Sequence, residues 1–250
     1  MKREKIYIYG KRAVTEALTA SPRSLAKLFL GKGFSDPFIE KKIKEHRIPT
    51  SEMKANTAAR VPGKNLAQKI IGVVNPGALV GGSEEFLKAL KPNPDTLLVY
   101  LDRLHDPMNV GAVIRSAAAF GASAMLIPAQ GQAPLSGSVI KASAGIAFRV
   151  PLVSVPHGGR VLRELKARGF AIYGLAMKGA RAVQAEEFPR PTVLIVGNEG
   201  SGVGKEIFSF CDATLGIPMR PGVESLNAAV SASIAMHAWS LRHPKALNRK

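Results

Sequence analysis

Polar residues that could take part in chemistry fall in three stretches of this 250-residue chain. The first contains Asn109 and Arg115, six residues apart, in a segment of small apolar residues with helical spacing. An arginine among alanines, close to the end of an apolar strand, favours a cleft over bulk solvent. Pairing with a core carboxylate is the alternative, because structural ion pairs are common. Asn109 precedes the predicted helix and is read as its cap.

The second stretch is a glycine-rich loop that follows an apolar run at residues 192–196. Gly197 and the three glycines after it would let a ligand approach the backbone closely. The loop lacks the Lys-Ser/Thr ending of a P-loop, and Glu199 within it would repel a phosphate. We therefore expect a neutral or cationic ligand here, such as a nucleoside sulfonium.

The third stretch places Ser225 and Asn227 at the start of the last helix, where such residues are ordinary N-caps. No histidine nearby completes a hydrolase triad, and no Cys/His cluster offers a metal site. His105 is interpreted as a surface hydrogen-bonding residue, and Cys211 as a small buried residue rather than a nucleophile. The sequence therefore predicts no bound metal.

The elements that must position these residues alternate between strand and helix from residue 96 onward. Continuous apolar runs indicate strands buried on both faces, hence an α/β fold with a mainly parallel sheet. The predicted strands are 97–101, 124–127, 150–153, 171–175, 192–196 and 214–217; the predicted helices are 110–120, 161–167 and 227–241. Ligands of such sheets bind at the carboxyl ends of the strands, where all three stretches lie.

A smaller domain comes first. Strands at 6–9, 25–30 and 69–74, with helices at 12–19 and 37–47, predict a compact α/β domain over residues 1–78. Residues 79–95 are rich in glycine and proline around a short helix and are interpreted as a linker. Residues 96–250 form the second predicted domain.

The charge of the chain points to a polyanionic partner. Lys and Arg number 35 against 18 Asp and Glu, a formal net charge of +17, and nucleic acid is the first candidate. The single cysteine excludes an intramolecular disulfide and fits a reducing compartment. No apolar run approaches a membrane span and no signal peptide opens the chain. We expect a soluble, cytoplasmic protein without a membrane partner.

Three motifs in order, NVGAVIR, IVGNEGSGV and IPMRPGVESLN, resemble those of the SpoU (TrmH-like) branch of the SPOUT RNA 2'-O-ribose methyltransferases. The resemblance implies a catalytic domain whose C-terminal segment threads a trefoil knot, a feature too rare to predict from pattern alone. It also implies an S-adenosylmethionine pocket made by the knot loops, and a homodimer with active sites at its interface. The opening IYGKRAVTEAL resembles the L30e-like substrate-binding domain of the subgroup that methylates 23S rRNA.

The resemblance assigns roles residue by residue. It implies that Arg115 is the essential arginine and that Asn109 accompanies it. The remaining polar active-site positions match Glu199, Ser225 and Asn227. Cofactor contacts, largely through backbone, are implied for Gly197, Ile217, Met219, Leu226 and Ala228.

The implied activity is methylation of a ribose 2'-hydroxyl, most simply on a guanosine of 23S rRNA. Arg115 could accept the hydroxyl proton, or remain charged and stabilise the alkoxide and an adjacent phosphate; the sequence leaves both open. A tRNA substrate and a non-catalytic RNA-binding or ribosome-assembly factor are the alternatives. A Rossmann-type dehydrogenase is disfavoured by the late position of the glycine loop and by the positive charge.

Overall fold

Two β-sheets follow one another along the chain. The computed structural model describes residues 5–54, 69–176 and 181–248. Within these ranges a four-stranded sheet comes first and an eight-stranded sheet second. The α/β class predicted from the sequence holds for both.

The front sheet has the strand order β1-β4-β2-β3. Its bounds are β1 Ile6–Tyr9, β2 Leu25–Leu30, β3 Thr50–Glu52 and β4 Ile70–Val74. The buried strand β4 pairs antiparallel with β1 and with β2, whereas β3 pairs parallel with β2. The three predicted strands are confirmed to within a residue. The sequence prediction lacks β3, because its residues TSE carry no apolar pattern.

Two helices accompany the front sheet: α1, Lys11–Ala20, and α2, Pro37–His46. Asp36 starts α2 as its N-cap, since its carboxylate accepts a hydrogen bond from the Ile39 N–H at 3.0 Å. The Lys11 ammonium lies 2.5 Å from the other oxygen of that carboxylate and lowers the pKa of Asp36. This pair ties the start of α1 to the start of α2.

The second sheet has the order β10-β12-β9-β11-β6-β7-β8-β5, and its neighbouring strands are paired parallel. Its strands are β5 Val80–Gly82, β6 Leu97–Leu101, β7 Ala124–Pro128, β8 Leu152–Val155, β9 Ala171–Leu175, β10 Arg181–Ala182, β11 Thr192–Val196 and β12 Ala213–Gly216. The α-helices from residue 76 onward are α3 Pro76–Leu79, α4 Ser83–Ala89, α5 Pro107–Ala119, α6 Gly137–Ala142, α7 Gly158–Ala167, α8 Lys205–Phe208 and α9 Ala228–Arg242. Short 3-10 turns occupy Pro22–Ser24, Ile146–Phe148, Val183–Ala185 and Pro244–Asn248.

The predicted parallel sheet is confirmed. Strands β6 and β11 are adjacent and buried over their whole length, as their continuous apolar runs predict. Strand β8 begins two residues later than predicted, at Leu152, because Pro151 has no N–H to give to the ladder. The last helix begins at Ala228 directly after Asn227, within one residue of the prediction.

Residues 79–95, interpreted from sequence as a linker, contribute to the second sheet. Val80–Gly82 forms the edge strand β5, which pairs parallel with β8, and Ser83–Ala89 forms helix α4. The sequence prediction contains the helix but lacks the strand, because two of its three residues are glycines. Pairing with the free edge of β8 gives this segment its strand conformation. The domain limits of 1–78 and 96–250 remain a prediction.

The front sheet and its helices α1 and α2, called the front domain below, pack against α6 and the turn after it. Lys141 Nζ lies 5.2 Å from the centre of the Tyr9 ring, and Arg149 makes two hydrogen bonds to Glu16, at 2.6 and 3.1 Å. At Gly137 a Cβ atom would clash with the carbonyl oxygen of Tyr7. One buried apolar cluster runs through both halves of this contact. The two sheets are therefore joined by a packed interface.

Candidate active site

Three loops lie at one edge of the large sheet. They follow the carboxyl ends of β6, β11 and β12, at residues 102–106, 197–204 and 217–227. Because these strands are parallel and lie within four neighbouring positions of the sheet, their following loops meet at the same edge. The three polar stretches of the sequence are therefore brought together.

The glycine-rich loop is a small closed hairpin. The backbone groups of Asn198 and Gly202 exchange two hydrogen bonds of 3.0 Å. Gly202 has a φ of 65°, a left-handed conformation that glycine adopts without strain. Gly197 packs so closely on the backbone of Gly202 and Val203 that a Cβ atom would clash with both. Both glycines are thus required by the shape of the loop.

A chain of side-chain hydrogen bonds joins the first turn of α5 to the two loops after β11 and β12. Asn109 Nδ2 donates to Glu199 Oε1 at 2.7 Å, and Asn227 Nδ2 donates to Asn109 Oδ1 at 2.9 Å. Asn227 Oδ1 in turn accepts from the N–H groups of Ala229 and Val230, which makes it the N-cap of α9 as predicted. Three of the five polar residues predicted for catalysis therefore form one connected network.

Asn109 is not the cap of its helix, contrary to the sequence analysis. Helix α5 begins at Pro107, and Asp106 caps it by accepting from the Met108 N–H at 2.8 Å. Proline is favoured at the first helical position because its fixed φ suits the helix and its missing N–H costs nothing there. Asn109 lies in the first turn, buried, and its amide is free to bridge Glu199 and Asn227.

Arg115 lies apart from this network. The expected cleft around it is absent from the single chain: its side chain is exposed, and it has no hydrogen bond or ion pair to the residues that the structure describes. The alternative, a pair with a core carboxylate, is absent there too. Arg115 follows Met108 by seven residues, so the two share one face of α5. Met108 is 60% exposed.

A cavity of about 380 Å³ lies under the glycine-rich loop and the loop after β12. Its wall includes all five residues predicted to contact a cofactor, and also Glu199 and Ser225; the five are Gly197, Ile217, Met219, Leu226 and Ala228. Among the described residues that line it, Glu199 is the one with a formal charge. Asn109, Arg115 and Asn227 are not part of the wall.

Several lining residues were beyond the reach of sequence reasoning. Leu175 and Ala176 come from the end of β9, and Phe208 comes from α8. Each is an ordinary apolar residue in its own segment. Their place in the wall follows from the order of β9 between β11 and β12, which only the sheet topology reveals.

The remaining observations on the described ranges concern metal ligands, the thiol of Cys211, the imidazole of His105 and membrane-spanning helices. No group of three or more His, Cys, Asp or Glu residues there could hold a metal ion. Cys211 is partly buried, and burial raises its pKa to about 11, so it suits the packing role predicted for it. His105 is exposed in its loop, as predicted. No helix in these ranges has the length and apolar content needed to cross a bilayer.

Comparison with known families agrees with this arrangement. Residues 96–237 match the SpoU rRNA Methylase family, and residues 7–77 match the family described as RNA 2'-O ribose methyltransferase substrate binding. The chain belongs to the SpoU rRNA methylase family. The SpoU match contains all three loops of the site, and the second match falls on the front domain.

Relatives of the same family span nearly the whole chain. The 23S rRNA (guanosine-2'-O-)-methyltransferase RlmB of Pseudomonas putida is 32% identical over 235 residues, which are 92% of this chain and 93% of the relative. An uncharacterized tRNA/rRNA methyltransferase of Mycobacterium avium is also 32% identical, over 92% of this chain and 75% of its own length.

A solved SpoU structure has the same fold. The methyltransferase AviRb from Streptomyces viridochromogenes, in complex with the cofactor AdoMet, superposes with a TM-score of 0.80 at 24% identity. The match covers 96% of this chain and 91% of AviRb. The fold prediction, a SpoU-type α/β domain behind a small α/β domain, is confirmed.

Proposed function

We propose that this chain transfers the methyl group of S-adenosylmethionine to the ribose 2'-hydroxyl of RNA, and that its substrate is a guanosine of 23S rRNA. The observation that carries the proposal is the cavity: every residue predicted to contact the cofactor lies in its wall. The RlmB relative, similar along nearly the whole chain, supports the choice of rRNA and of guanosine.

The cavity fits the proposed cofactor in size and charge. Its volume of about 380 Å³ falls in the range of small-molecule sites, roughly 300–1,000 Å³. Most of its wall is apolar side chain and glycine backbone, which suits an adenine and a ribose. The negative charge of Glu199 suits the cationic sulfonium or ammonium group and disfavours a phosphate. When bound, S-adenosylmethionine supplies a methyl group activated by the positive charge on its sulfur.

The protein's own residues would position the reactants and manage the hydroxyl proton. The Asn109 amide donates a hydrogen bond to the Glu199 carboxylate and fixes it in place. Asn227 donates to Asn109, and Asn227 also caps α9. Ser225 brings a hydroxyl to the cavity wall, where it can orient a ribose. Fixing acceptor and donor in line accounts for several kcal/mol of the barrier, about 7–11 in favourable cases.

We assign Arg115 the role of an electrostatic anchor. A guanidinium remains protonated in proteins and offers five N–H donors, so it stabilises a developing alkoxide and binds a neighbouring phosphate. Its exposure and its freedom from partners among the described residues leave it available to RNA. In this assignment the proton leaves to solvent or to RNA rather than to Arg115.

We also propose a homodimer, with α5 and α9 as its contact surface. Val230, Ile234 and Leu241 lie on one stripe of α9 and are 46%, 36% and 66% exposed. The two helices are held together by a 2.7 Å hydrogen bond between the hydroxyls of Ser116 and Ser233. Exposed apolar side chains on adjacent helices indicate an interaction surface.

The dimer would explain the position of Arg115. This residue lies on the exposed face of α5 and outside the cavity of its own chain. A second copy packed on α5 and α9 would enclose Arg115 within a shared site, as the family resemblance implies.

The proposed trefoil knot is supported by the path of the last segment. Strand β12 lies beyond β9, whereas the following helix α9 returns to pack against α5 and β11. The last segment therefore runs back past the loops at the carboxyl edge of the sheet, the path that a threaded chain would take. The Asn227–Asn109 hydrogen bond holds the start of α9 against α5.

RNA is the proposed partner of the front domain. This domain matches the RNA 2'-O ribose methyltransferase substrate-binding family, and exposed cations such as Lys11, Arg12, Arg23 and Lys32 lie on it. Such cations bind phosphates without regard to base sequence, so the front domain would position the RNA. An rRNA substrate would place the activity in the cytoplasm.

The decisive experiment is transfer of tritiated methyl from S-adenosylmethionine to total rRNA and, separately, to total tRNA, followed by nuclease mapping. We expect the label in rRNA, at a nucleotide where methylation of the ribose 2'-hydroxyl prevents nuclease cleavage. Label in tRNA alone would retain the chemistry and replace the substrate. Cofactor binding without methyl transfer to either RNA would indicate that the substrate is a ribosomal particle rather than free RNA. A protein that binds no cofactor would be a non-catalytic RNA-binding factor.

A further inference from the structure

Asn198 uses every hydrogen-bonding group of its side chain. Its Oδ1 accepts from the backbone N–H groups of Gly200 and Ser201, each at 3.0 Å, and from the Ser201 hydroxyl at 3.2 Å. Its Nδ2 donates to the carbonyl oxygen of Arg103 at 2.9 Å and to Glu199 Oε2 at 3.3 Å. A side-chain amide has two N–H donors and one acceptor oxygen, so its capacity is filled. Asn198 therefore connects the glycine-rich loop to the loop after β6.

Arg103 makes the return connection. Its Nη2 donates to the carbonyl oxygen of Gly202 at 3.2 Å, and its guanidinium lies against Gly204, where a Cβ atom would be 3.0 Å from Nη2. Asp102 beside it is buried and accepts from the Gly204 N–H at 2.6 Å. The hydrogen bonds between the two loops thus run in both directions.

The backbone of Arg103 is held in an unfavourable conformation. Its φ is 60°, in the left-handed region that residues other than glycine rarely adopt. Such conformations persist where the surroundings impose them, and they cluster at functional sites. Here the bond from Asn198 to the Arg103 carbonyl and the bond from Arg103 to Gly202 hold the conformation on both sides.

The same contacts determine where Glu199 points. Its Oε1 accepts a hydrogen bond from the side-chain amide of Asn109. Its Oε2 accepts one from the side-chain amide of Asn198. Glu199 is exposed, and an exposed glutamate loses considerable rotamer freedom when it is fixed. One donor from helix α5 and one from the neighbouring residue of its own loop hold it in one orientation beside the cavity.

We infer that Asn198 and Arg103 are positioning residues, which latch the glycine-rich loop to the loop after β6 and orient the Glu199 carboxylate toward the cofactor cavity. The consequence for the cofactor rests on the proposed function. The latch itself is a property of the free protein.

The test is Asn198→Asp, which keeps the shape of the side chain and the acceptor for Gly200 and Ser201. It removes both donors and places a second carboxylate beside Glu199. We expect amide hydrogen exchange at residues 200–202 of the free protein to rise about tenfold, because losing one or two hydrogen bonds costs about that factor. We expect the dissociation constant of S-adenosylmethionine, measured by calorimetry, to rise about tenfold for the same reason.

The matched control is Asn75→Asp. Asn75 also accepts from a backbone N–H, that of Gly77 at 3.0 Å, and an aspartate retains this acceptor. We expect neither exchange at residues 200–202 nor cofactor affinity to change in the control. Thermal unfolding of each variant verifies that the fold is retained.

A double-mutant cycle separates positioning from a general structural effect. If Asn198 acts through Glu199, Asn198→Asp should weaken cofactor affinity about tenfold in the native background. In a protein that already carries Glu199→Gln, the same substitution should weaken it by less than about threefold, because the effects of coupled residues are not additive. Arg103→Gln provides a second route, because it removes the guanidinium that holds Gly202; it should raise exchange at the same amides.

Additive effects on affinity would overturn the role of Asn198 in orienting Glu199. Unchanged exchange in both Asn198→Asp and Arg103→Gln would overturn the latch. If the native protein binds no S-adenosylmethionine, the proposed function fails, and the exchange measurements still decide whether the latch exists.

Discussion

Asn109 Nδ2 and Glu199 Oε1 are joined by a hydrogen bond of 2.7 Å, although 90 residues separate them along the chain. Asn227, 118 residues after Asn109, donates to the same amide at 2.9 Å. Asn109, in the first turn of α5, is buried and is the one of these three residues that is bonded to both of the others. The order of the site therefore depends on this amide having both a donor and an acceptor.

Asn109→Asp tests that dependence. The substitution keeps the acceptor for Asn227 but places a carboxylate 2.7 Å from Glu199, where a donor is needed. We expect a loss of about 1–3 kcal/mol in the free energy of unfolding, the usual cost of an unsatisfied buried group. Chemical denaturation measures it, and cofactor affinity should fall with it.

The double variant Asn109→Asp with Glu199→Gln is the control. A glutamine can donate its amide N–H to the new aspartate, so the bond is restored with donor and acceptor exchanged. Recovery of at least half of the lost stability is expected. A double variant no more stable than Asn109→Asp alone would show that this hydrogen bond is not the source of the loss.

Arg115→Ala should abolish methyl transfer while leaving the protein folded. The guanidinium is exposed and has no partner among the described residues, so its removal should change the free energy of unfolding by less than about 0.5 kcal/mol. Loss of one electrostatic stabiliser of a transition state typically lowers turnover by roughly 100-fold or more. Single-turnover methyl transfer at saturating cofactor measures it.

Arg160→Ala is the matched arginine variant for this comparison. Arg160 lies on α7 and is not part of the cavity wall, and its side chain is 68% exposed with a 3.5 Å ion pair to Glu84. It should retain full turnover. Near-normal turnover in Arg115→Ala would rule out both roles considered for Arg115.

The sequence predicted the parts of the site that depend on local pattern. The strands β6 and β11 carry uninterrupted apolar runs, and Asn227 stands directly before a helical segment, so their structures follow from their own residues. The motifs also led to the five residues in the cavity wall. Asn198 escaped prediction although it stands inside a motif, because its partner Arg103 lies 95 residues away.

Other features depend on packing that no single segment carries. Val80–Gly82 becomes a strand because the edge of β8 is available to it. Asp106 replaces Asn109 as the helix cap because Pro107 fits the first helical position. Arg115 is exposed in the single chain, and the proposed dimer would complete the cleft expected around it.

The thiol of Cys211 should react slowly. Burial raises its pKa to about 11, and the thiolate is the reactive form, so at pH 8 the reactive fraction falls about 100-fold below that of an ordinary cysteine. Since Cys211 is the single cysteine, labelling with a chromogenic disulfide reports on it alone. The same protein unfolded in guanidinium chloride gives the reference rate. A native rate within tenfold of that reference would contradict the expected burial.

Gly137→Ala should disturb the contact between the two domains. A Cβ atom at residue 137 clashes with the Tyr7 carbonyl oxygen, whereas one at Gly81 would meet its nearest atom at an ordinary 3.9 Å. We expect Gly137→Ala to lower affinity for RNA and to leave cofactor affinity unchanged, because the cavity is formed by other loops. Gly81→Ala is the control and should leave both affinities unchanged. Equal RNA affinity in the two variants would show that docking of the front domain does not matter for RNA binding.

Ile234→Asp should separate the proposed dimer. Ile234 lies between Val230 and Leu241 on the exposed stripe of α9, and a charge buried at the centre of an apolar interface is costly unless it is paired. We expect sedimentation to give a dimer for the native protein and a monomer for the variant, with methyl transfer lost and cofactor binding weakened. Phe38→Asp is the matched control, because Phe38 is 47% exposed on α2 of the front domain, away from α9. A dimer that survives Ile234→Asp but dissociates with Phe38→Asp would place the interface on the front domain and leave Arg115 without the shared site proposed for it.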